Sequence, residues 1–166
     1  SRDNGAVLVK WLPNIQQIDP SDERHIPFYR KLVELDLPLL SHVGDEESFS
    51  TANDALGDPQ LLQLPLKLGV RVIAAHVASS GKSQGEDNVE RLLKMMPKYP
   101  NLVADLSTLT QVNRRRYLRK VLNDERLNGR ISKPFAAVFG EKVWWQPLNA
   151  LTEKRPAAFG TTNGGR

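Results

Sequence analysis

Four short, almost continuously apolar runs recur along the chain, spaced by roughly the 30 residues of a βαβ unit. They occupy residues 6–11, 37–42, 70–76 and 102–106. Apolar positions that run on without alternating are typical of parallel strands covered on both faces. Between the runs, apolar residues return at three- and four-residue spacing, which indicates amphipathic helices. The pattern therefore predicts an α/β fold with parallel strands and right-handed crossovers.

The helical signal lies in four segments that separate or follow these runs. They are residues 22–35, 59–68, 88–96 and 111–122. Ser21 or Asp22 can accept a hydrogen bond from the first turn of the first helix. Asp36 stands where a residue in left-handed conformation ends a helix. Pro65 is expected to kink or shorten the second helix.

The alternation of strands and helices weakens beyond Gly129. Residues 135–139 are a candidate fifth strand, and the glycine-rich residues 160–165 are typical of a flexible tail. We therefore expect residues 1–130 to form one α/β domain of about four to five βα units. Residues 131–166 are expected to form a divergent, partly flexible C-terminal segment.

Composition is that of an ordinary globular chain. The 166 residues are 40% hydrophobic and 25% charged, which suits a single domain with its own core. No run reaches the ~18 apolar residues of a membrane span, and the first residues lack a signal-peptide pattern, so we expect no membrane partner. Cysteine is absent, which excludes disulfides and thiolate metal sites and fits a cytoplasmic location.

The net charge of +4 is concentrated late in the chain, where Arg114, Arg115 and Arg116 are consecutive. No pattern of aromatic residues for base stacking accompanies them, so we interpret them as a solvated helix face and expect no nucleic-acid partner. The sequence Gly81-Lys82-Ser83 suggests a phosphate-binding loop. The first glycine of the G-x-x-x-x-G-K-S/T pattern is missing, which argues against a nucleotide site.

Candidate chemistry lies where the predicted strands end. His42 and His76 each close an apolar run, and the carboxyl ends of parallel strands face one rim where ligands bind. Imidazole binds zinc and similar ions and also serves as a general base near neutral pH. Lys10 and Asp105 lie near the ends of the first and fourth runs and are further candidates for this rim. Asp105 has a structural alternative, since a carboxylate inside a strand must find hydrogen bonds.

Five segments carry a resemblance to a known family. They are Lys10–Asn14, Asp19–Asp22, Pro38–Glu46, Arg71–His76 and Asn101–Ser107. Together they resemble the second half of an amidohydrolase-superfamily protein, over roughly residues 5 to 130. The branch they resemble comprises the amidohydrolase-related metal-dependent hydrolases, and it also includes non-oxidative decarboxylases.

The resemblance implies a (β/α)8 TIM barrel with a metal at the carboxyl-end rim. Members use a His-x-His pair ending the first strand, a histidine ending the fifth and often the sixth, and an aspartate ending the eighth. By motif, His42 resembles the fifth-strand metal ligand. His76 resembles the sixth-strand histidine, which binds the metal or contacts substrate and water. The resemblance thereby implies a divalent metal, zinc in the first instance, and a small-molecule substrate. As candidates for the same rim, Lys10 and Asp105 are expected to be catalytic residues beside His76.

The chain also departs from the family pattern. It contains no His-x-His, and the usual Gly-Ser-Asp ending of the eighth strand is missing. If residues 136–140 are that strand, Glu141 and Lys142 follow where Ser and Asp are expected. A full barrel takes about 250 residues, so we expect a partial barrel that holds a metal weakly. The strand edges of a partial barrel are unpaired, which favours a homo-oligomer.

Three functions follow as alternatives. The first is a truncated metal-dependent hydrolase that cleaves a C–N or C–O bond in an ester, amide or lactone. The second is a non-oxidative decarboxylase on the same fold. The third is a catalytically inactive fragment. Metal binding that depends on His42 distinguishes the first two from the third.

Overall fold

A parallel sheet organises the computed structural model, which describes residues 5–46, 50–109 and 114–132. The strands are β1 (Val9–Trp11), β2 (Leu39–Ser41), β3 (Val72–Ala74), β4 (Lys82–Ser83), β5 (Glu86–Asp87), β6 (Leu102–Asp105) and β7 (Ile131–Ser132). Five of them form one sheet in the order β1-β2-β3-β6-β7, and each neighbouring pair is parallel. The other two, β4 and β5, form a small antiparallel hairpin. The predicted α/β fold with parallel strands is confirmed.

The first four strands of this sheet lie level with one another. Val9 pairs with Leu39, Leu39 with Val72, and Val72 with Leu102. Because the strands begin level and are three or four residues long, their carboxyl ends also reach the same height. Residues that follow these strands therefore meet at one rim of the sheet.

The described residues form the helices α1 (Pro13–Gln16), α2 (Ile26–Glu34), α3 (Gln63–Lys67), α4 (Asn88–Met95) and α5 (Arg115–Leu122). The last four lie in segments where the sequence predicts helices, whereas the short helix α1 directly after β1 was not predicted. Pro65 lies in the first turn of α3, where its missing N–H costs least, and a 3₁₀ turn over Pro59–Leu62 replaces the rest of that predicted helix. Among the described residues, no helix is long and apolar enough to cross a membrane.

The start and end of the helix before β2 match the predicted signals. The Asp22 side chain accepts a hydrogen bond from the backbone N–H of Arg24 at 2.8 Å and so caps a 3₁₀ turn that leads into α2. At the other end, Asp36 has a φ of 52°, which places it in the left-handed region as expected. The chain reverses there, and the N–H of Leu37 donates to the carbonyl of Leu32 at 2.9 Å.

The fifth strand of the sheet is β7, which pairs with β6 through Ala104 and Ile131. The predicted candidate at residues 135–139 lies outside the described residues. β7 begins immediately after the predicted domain boundary at residue 130, and that boundary stays a prediction.

The core lies between the sheet and the helices. Leu39, Val72 and Leu102 are fully buried at the centre of the sheet, and α4 packs Leu92 against this layer. Apolar burial of this kind contributes about 25 cal/mol per Å² and is the main stabilising term of the fold. The outer strand β1 packs on α2 through aromatic side chains. The ring of Trp11 stacks on that of Phe28, with centroids 5.0 Å apart and planes at 11°.

Acidic side chains neutralise part of the basic face of α5. Lys120 Nζ lies 3.0 Å from Glu90 Oε2, and Arg126 Nη1 lies 2.9 Å from Glu90 Oε1. The Tyr117 hydroxyl donates to Asp87 Oδ2 at 2.9 Å. These contacts give several of the late basic residues a structural role, consistent with a helix face that packs against α4.

A buried ion pair fixes the segment that enters α3. Arg91 of α4 donates from Nε to Asp58 Oδ1 at 3.0 Å and from Nη2 to Asp58 Oδ2 at 2.7 Å. Both side chains are about one-tenth exposed. Asp58 Oδ1 also accepts from the N–H of Gln60 at 2.9 Å. The planar guanidinium thus satisfies both carboxylate oxygens, the geometry in which a buried pair is best compensated.

We predict that Asp58→Asn destabilises the fold by about 3 kcal/mol, because Arg91 would lose its bidentate counter-ion and keep only the more distant carboxylate of Glu86, 3.7 Å from Nη1. Urea denaturation followed by circular dichroism measures the change. The matched control Glu34→Gln breaks the exposed Lys31–Glu34 pair and should change the free energy of unfolding far less. Equal effects of the two substitutions would contradict the role assigned to the buried pair.

Candidate active site

His42 and His76 meet at the carboxyl ends of β2 and β3. His42 directly follows Ser41, the last residue of β2, while His76 lies two residues beyond Ala74, the last residue of β3. The centroids of the two imidazole rings are 5.4 Å apart, with the planes at 66°. The structure thus brings together the two histidines singled out in the sequence, while their role as metal ligands stays a prediction.

The His42 imidazole is buried and neutral. Only 3% of the residue is exposed. Burial lowers the pKa of His42 to about 4, because a charged ring would be poorly solvated there, and nearby Glu46 opposes this shift. Among the described residues, His42 Nε2 has no hydrogen-bond partner, although Glu46 Oε2 lies 3.7 Å away. A neutral, buried nitrogen without a hydrogen bond is available to bind a metal ion or a substrate.

His76 begins a short left-handed turn. The φ angles of His76, Val77 and Ala78 are 60°, 52° and 52°. This backbone costs residues with a side chain about 1–2 kcal/mol each, and runs of it are rare. Val77 and Ala78 are fully buried, so their apolar contacts offset part of the cost. The turn ends β3 two residues earlier than predicted and moves the His76 ring off the strand.

Asp105, the last residue of β6, holds this turn in place. It is 6% exposed. Its Oδ1 accepts hydrogen bonds from the backbone N–H of His76 at 3.1 Å and of Ser107 at 2.8 Å, and also from the Ser107 hydroxyl. Asp105 therefore has the structural role that the sequence offered as an alternative, that of a buried carboxylate satisfied by hydrogen bonds. Its catalytic role stays a prediction.

Ser107 fixes which nitrogen of His76 carries the proton. His76 Nδ1 lies 2.6 Å from Ser107 Oγ. Since the only hydroxyl hydrogen goes to the Asp105 carboxylate, Ser107 Oγ accepts from Nδ1–H of the imidazole. Burial lowers the pKa of His76 while Asp105 opposes the shift, which favours the neutral ring. The Nε2 lone pair is then left for a ligand.

Lys10 lies on β1 beside the carboxylates of the site. The residue as a whole is exposed. Partial desolvation by the surrounding protein nevertheless lowers the pKa of Lys10, and the negative charges of Asp105 and Glu46 act in the opposite direction. The ammonium is thus within electrostatic reach of two acids of the rim, as the sequence suggested. Its catalytic role stays a prediction.

Two polar residues missed in the sequence position the segment after His42. The Asn14 amide donates to the carbonyl of Gly44 at 3.1 Å, and the Ser80 hydroxyl donates to the carbonyl of Asp45 at 2.8 Å. Gly44 has a φ of 90°, and a Cβ there would come within 2.7 Å of Ser80 Oγ. These contacts hold the turn that places Glu46 near the first histidine. No spacing rule in the sequence signals them, because they join residues 30 and 35 positions apart.

The imidazole pair provides two potential metal ligands. In the portion of the chain that the structure describes, no three His, Asp or Glu side chains are grouped closely enough to hold a metal ion. Structural and catalytic zinc sites use at least three protein ligands, one more than this pair provides.

One family model matches nearly the whole chain. It is described as "Amidohydrolase", and the match covers residues 2–156. No curated protein matches the sequence significantly.

Two solved structures resemble this one. An uncharacterized TIM-barrel protein from Bordetella bronchiseptica aligns with a TM-score of 0.60 at 17% identity, over 92% of this chain and 50% of that protein. A proposed metal-dependent hydrolase from Lactobacillus casei aligns with a TM-score of 0.43 at 24% identity, over 61% of this chain and 24% of that protein. The first likeness shows the fold: the chain is a partial TIM barrel that spans half the length of the protein it matches.

For the metal-free protein, we predict a free energy of unfolding that falls as the pH falls from about 6.5 to about 4. The unfolded chain binds a proton at the ordinary histidine pKa, whereas His42 in the folded state resists protonation until about pH 4. The loss should be on the order of 3 kcal/mol. Urea denaturation at a series of pH values measures it.

His42→Gln should remove most of this pH slope, since the variant has no group to titrate at that position. The control His25→Gln removes a histidine that packs on Trp11, outside the site, and should keep the slope. An unchanged slope in His42→Gln would contradict the buried, neutral state of His42.

A second prediction concerns the tautomer of His76. Ser107→Ala removes the acceptor at 2.6 Å from Nδ1 and keeps the longer contact to the backbone carbonyl of residue 107 at 3.3 Å, so the proton should populate Nε2 in a larger fraction of molecules. Long-range ¹H–¹⁵N correlation spectra of the imidazoles at neutral pH distinguish the two tautomers. The control Ser21→Ala removes an exposed serine that bonds only to Asp19. Identical His76 signals in Ser107→Ala and in the wild type would refute the assignment.

Proposed function

The chain belongs to the amidohydrolase family, and from this membership we propose that its site serves metal-dependent hydrolysis of a C–N or C–O bond in a small molecule. Esters, amides and lactones are the substrate classes that fit this chemistry. The observation that supports the proposal is the contact between two imidazoles, 5.4 Å apart, at the carboxyl-end rim of a parallel sheet. Active sites of TIM barrels lie at this rim.

The donor atoms suit a divalent metal, with zinc as the first choice for imidazole ligands. His42 Nε2 is buried without a hydrogen bond, and the bond from His76 Nδ1 to Ser107 leaves His76 Nε2 for a ligand. Low pKa values keep both rings in the neutral state that binds metals. A bound divalent ion would polarise a scissile carbonyl and make water more acidic.

The surrounding residues have separate tasks. Asp105 holds the His76 turn through a backbone hydrogen bond, and Ser107 fixes the imidazole proton on Nδ1. Lys10, under the influence of Asp105 and Glu46, balances the negative charge of the rim. Because two imidazoles are fewer than the three ligands of a zinc site, the affinity should be low unless further ligands are added.

The test is titration of the chain with Zn²⁺ and Mn²⁺ by calorimetry, after metal removal by chelating resin. The wild type should bind saturably, and His42→Ala should bind about tenfold more weakly or not at all, because one of two ligands is lost. Cleavage of ester, amide and lactone panels should depend on the same metal.

His25→Ala is the matched control, since it removes an imidazole that lies against Trp11 and leaves the pair intact. Equal metal affinity of His42→Ala and the wild type would refute the proposed site. Absence of any binding by the wild type would favour the inactive fragment.

A further inference from the structure

Arg114 stands next to the site with unused hydrogen-bond donors. It immediately precedes α5 and is half-buried. Its Nη1 donates to Ser79 Oγ at a long 3.3 Å, while its Nε is buried and has no partner. A guanidinium has five N–H donors, and a buried donor without an acceptor costs about 1–3 kcal/mol. Contacts with the described residues therefore leave part of the hydrogen-bonding capacity of this side chain unused.

Ser79 places Arg114 beside the histidine pair. The N–H of Ser79 donates to the carbonyl of His76 at 2.9 Å, so the contact residue belongs to the same left-handed turn. The charge of Arg114 is felt at the ring as well: burial is the main cause of the low pKa of His76, and Arg114 adds to it. Through Ser79, the guanidinium therefore lies at the turn that carries His76, and its charge acts on that ring.

Other cations of this region already have acidic neighbours. Arg91 is paired with Asp58, and Lys10 lies under the influence of Asp105 and Glu46. In contrast, no carboxylate of the described ranges lies within ion-pair distance of the guanidinium that precedes α5. Of these three cations, the Arg114 guanidinium is thus the one without an acidic neighbour among the described residues.

We propose that Arg114 binds a carboxylate of the substrate, so that the site takes an organic acid. This inference rests on the proposed function and adds the substrate class to it. The planar guanidinium presents parallel N–H groups whose spacing matches the two oxygens of a carboxylate. A phosphate has more oxygens and would require further donors. Lys82 and Ser83, which suggested a phosphate-binding loop in the sequence, pair with Asp87 and Glu86 in the β4–β5 hairpin.

The experiment measures binding of benzoate and of its neutral counterpart benzamide to the metal-free chain at fixed ionic strength. The readout is the ¹H–¹⁵N signal of arginine Nε–H together with the affinity by NMR titration. The wild type should prefer benzoate, and Arg114→Gln should weaken benzoate binding about tenfold or more and abolish the preference. Arg114→Lys should keep part of it, because a point charge lacks the planar fork.

Arg119→Gln is the matched control, since it removes the same charge from the exposed face of α5. Circular dichroism checks that each variant is folded, and Arg114→Lys provides a second variant if Arg114→Gln is not. The proposal is overturned if the wild type binds acid and amide equally, if neither binds, or if Arg119→Gln loses as much affinity as Arg114→Gln.

Metal titration of Arg114→Gln separates this inference from the proposed function. The variant should bind Zn²⁺ as the wild type does, because both imidazoles are retained. If the wild type binds benzoate through Arg114 but no metal, the hydrolase proposal fails and the acid site stands. If the wild type binds metal but shows no preference for benzoate, the acid site fails and the hydrolase proposal stands.

Discussion

The hydrogen bond from the backbone N–H of His76 to Asp105 Oδ1 joins the end of β3 to the end of β6. It holds a left-handed turn that would otherwise be unfavourable, since three consecutive residues there have positive φ. The same carboxylate oxygen accepts from Ser107, whose hydroxyl in turn contacts the His76 ring. One oxygen atom thus determines both where the imidazole lies and which of its nitrogens is protonated.

Burial gives the site its chemical character. Two neighbouring imidazoles would repel each other if both were charged, and their desolvation keeps them neutral. The negative charges of Asp105 and Glu46 oppose the desolvation of Lys10, whereas Arg114 has no such neighbour among the described residues. A substrate with a negative group distant from its reacting bond could therefore pair that group with Arg114. Its reacting bond would then lie near the neutral imidazoles of His42 and His76.

The sequence predicts most of the sheet because each strand is marked by its own apolar run, and parallel pairing of these runs determines which residues lie side by side. Apolar runs bounded by Asp36, Gly69 and similar residues locate the strands, and straight parallel pairing then brings His42 and His76 to the same rim. The turn at His76 could not be predicted, since positive φ is unusual for Val and Ala, which follow the histidine. Its cause is a carboxylate from Asp105, 29 positions later in the chain. Arg114 was interpreted as surface charge for the same reason: its neighbour Ser79 is 35 positions away.

In a partial barrel, the number of metal ligands near the two histidines depends on what pairs with the edges of the sheet. Within the described residues, β1 and β7 each pair with one neighbour, so each leaves a row of backbone N–H and C=O groups without a strand partner. Such edges accept additional strands, either from the same chain or from another copy. Because parallel strands added in register would also end at the carboxyl rim, a strand that completes the sheet would place its last residues near the imidazole pair. The same association would therefore cover an exposed edge and bring new ligands to a metal, so that oligomerisation and metal affinity should rise together.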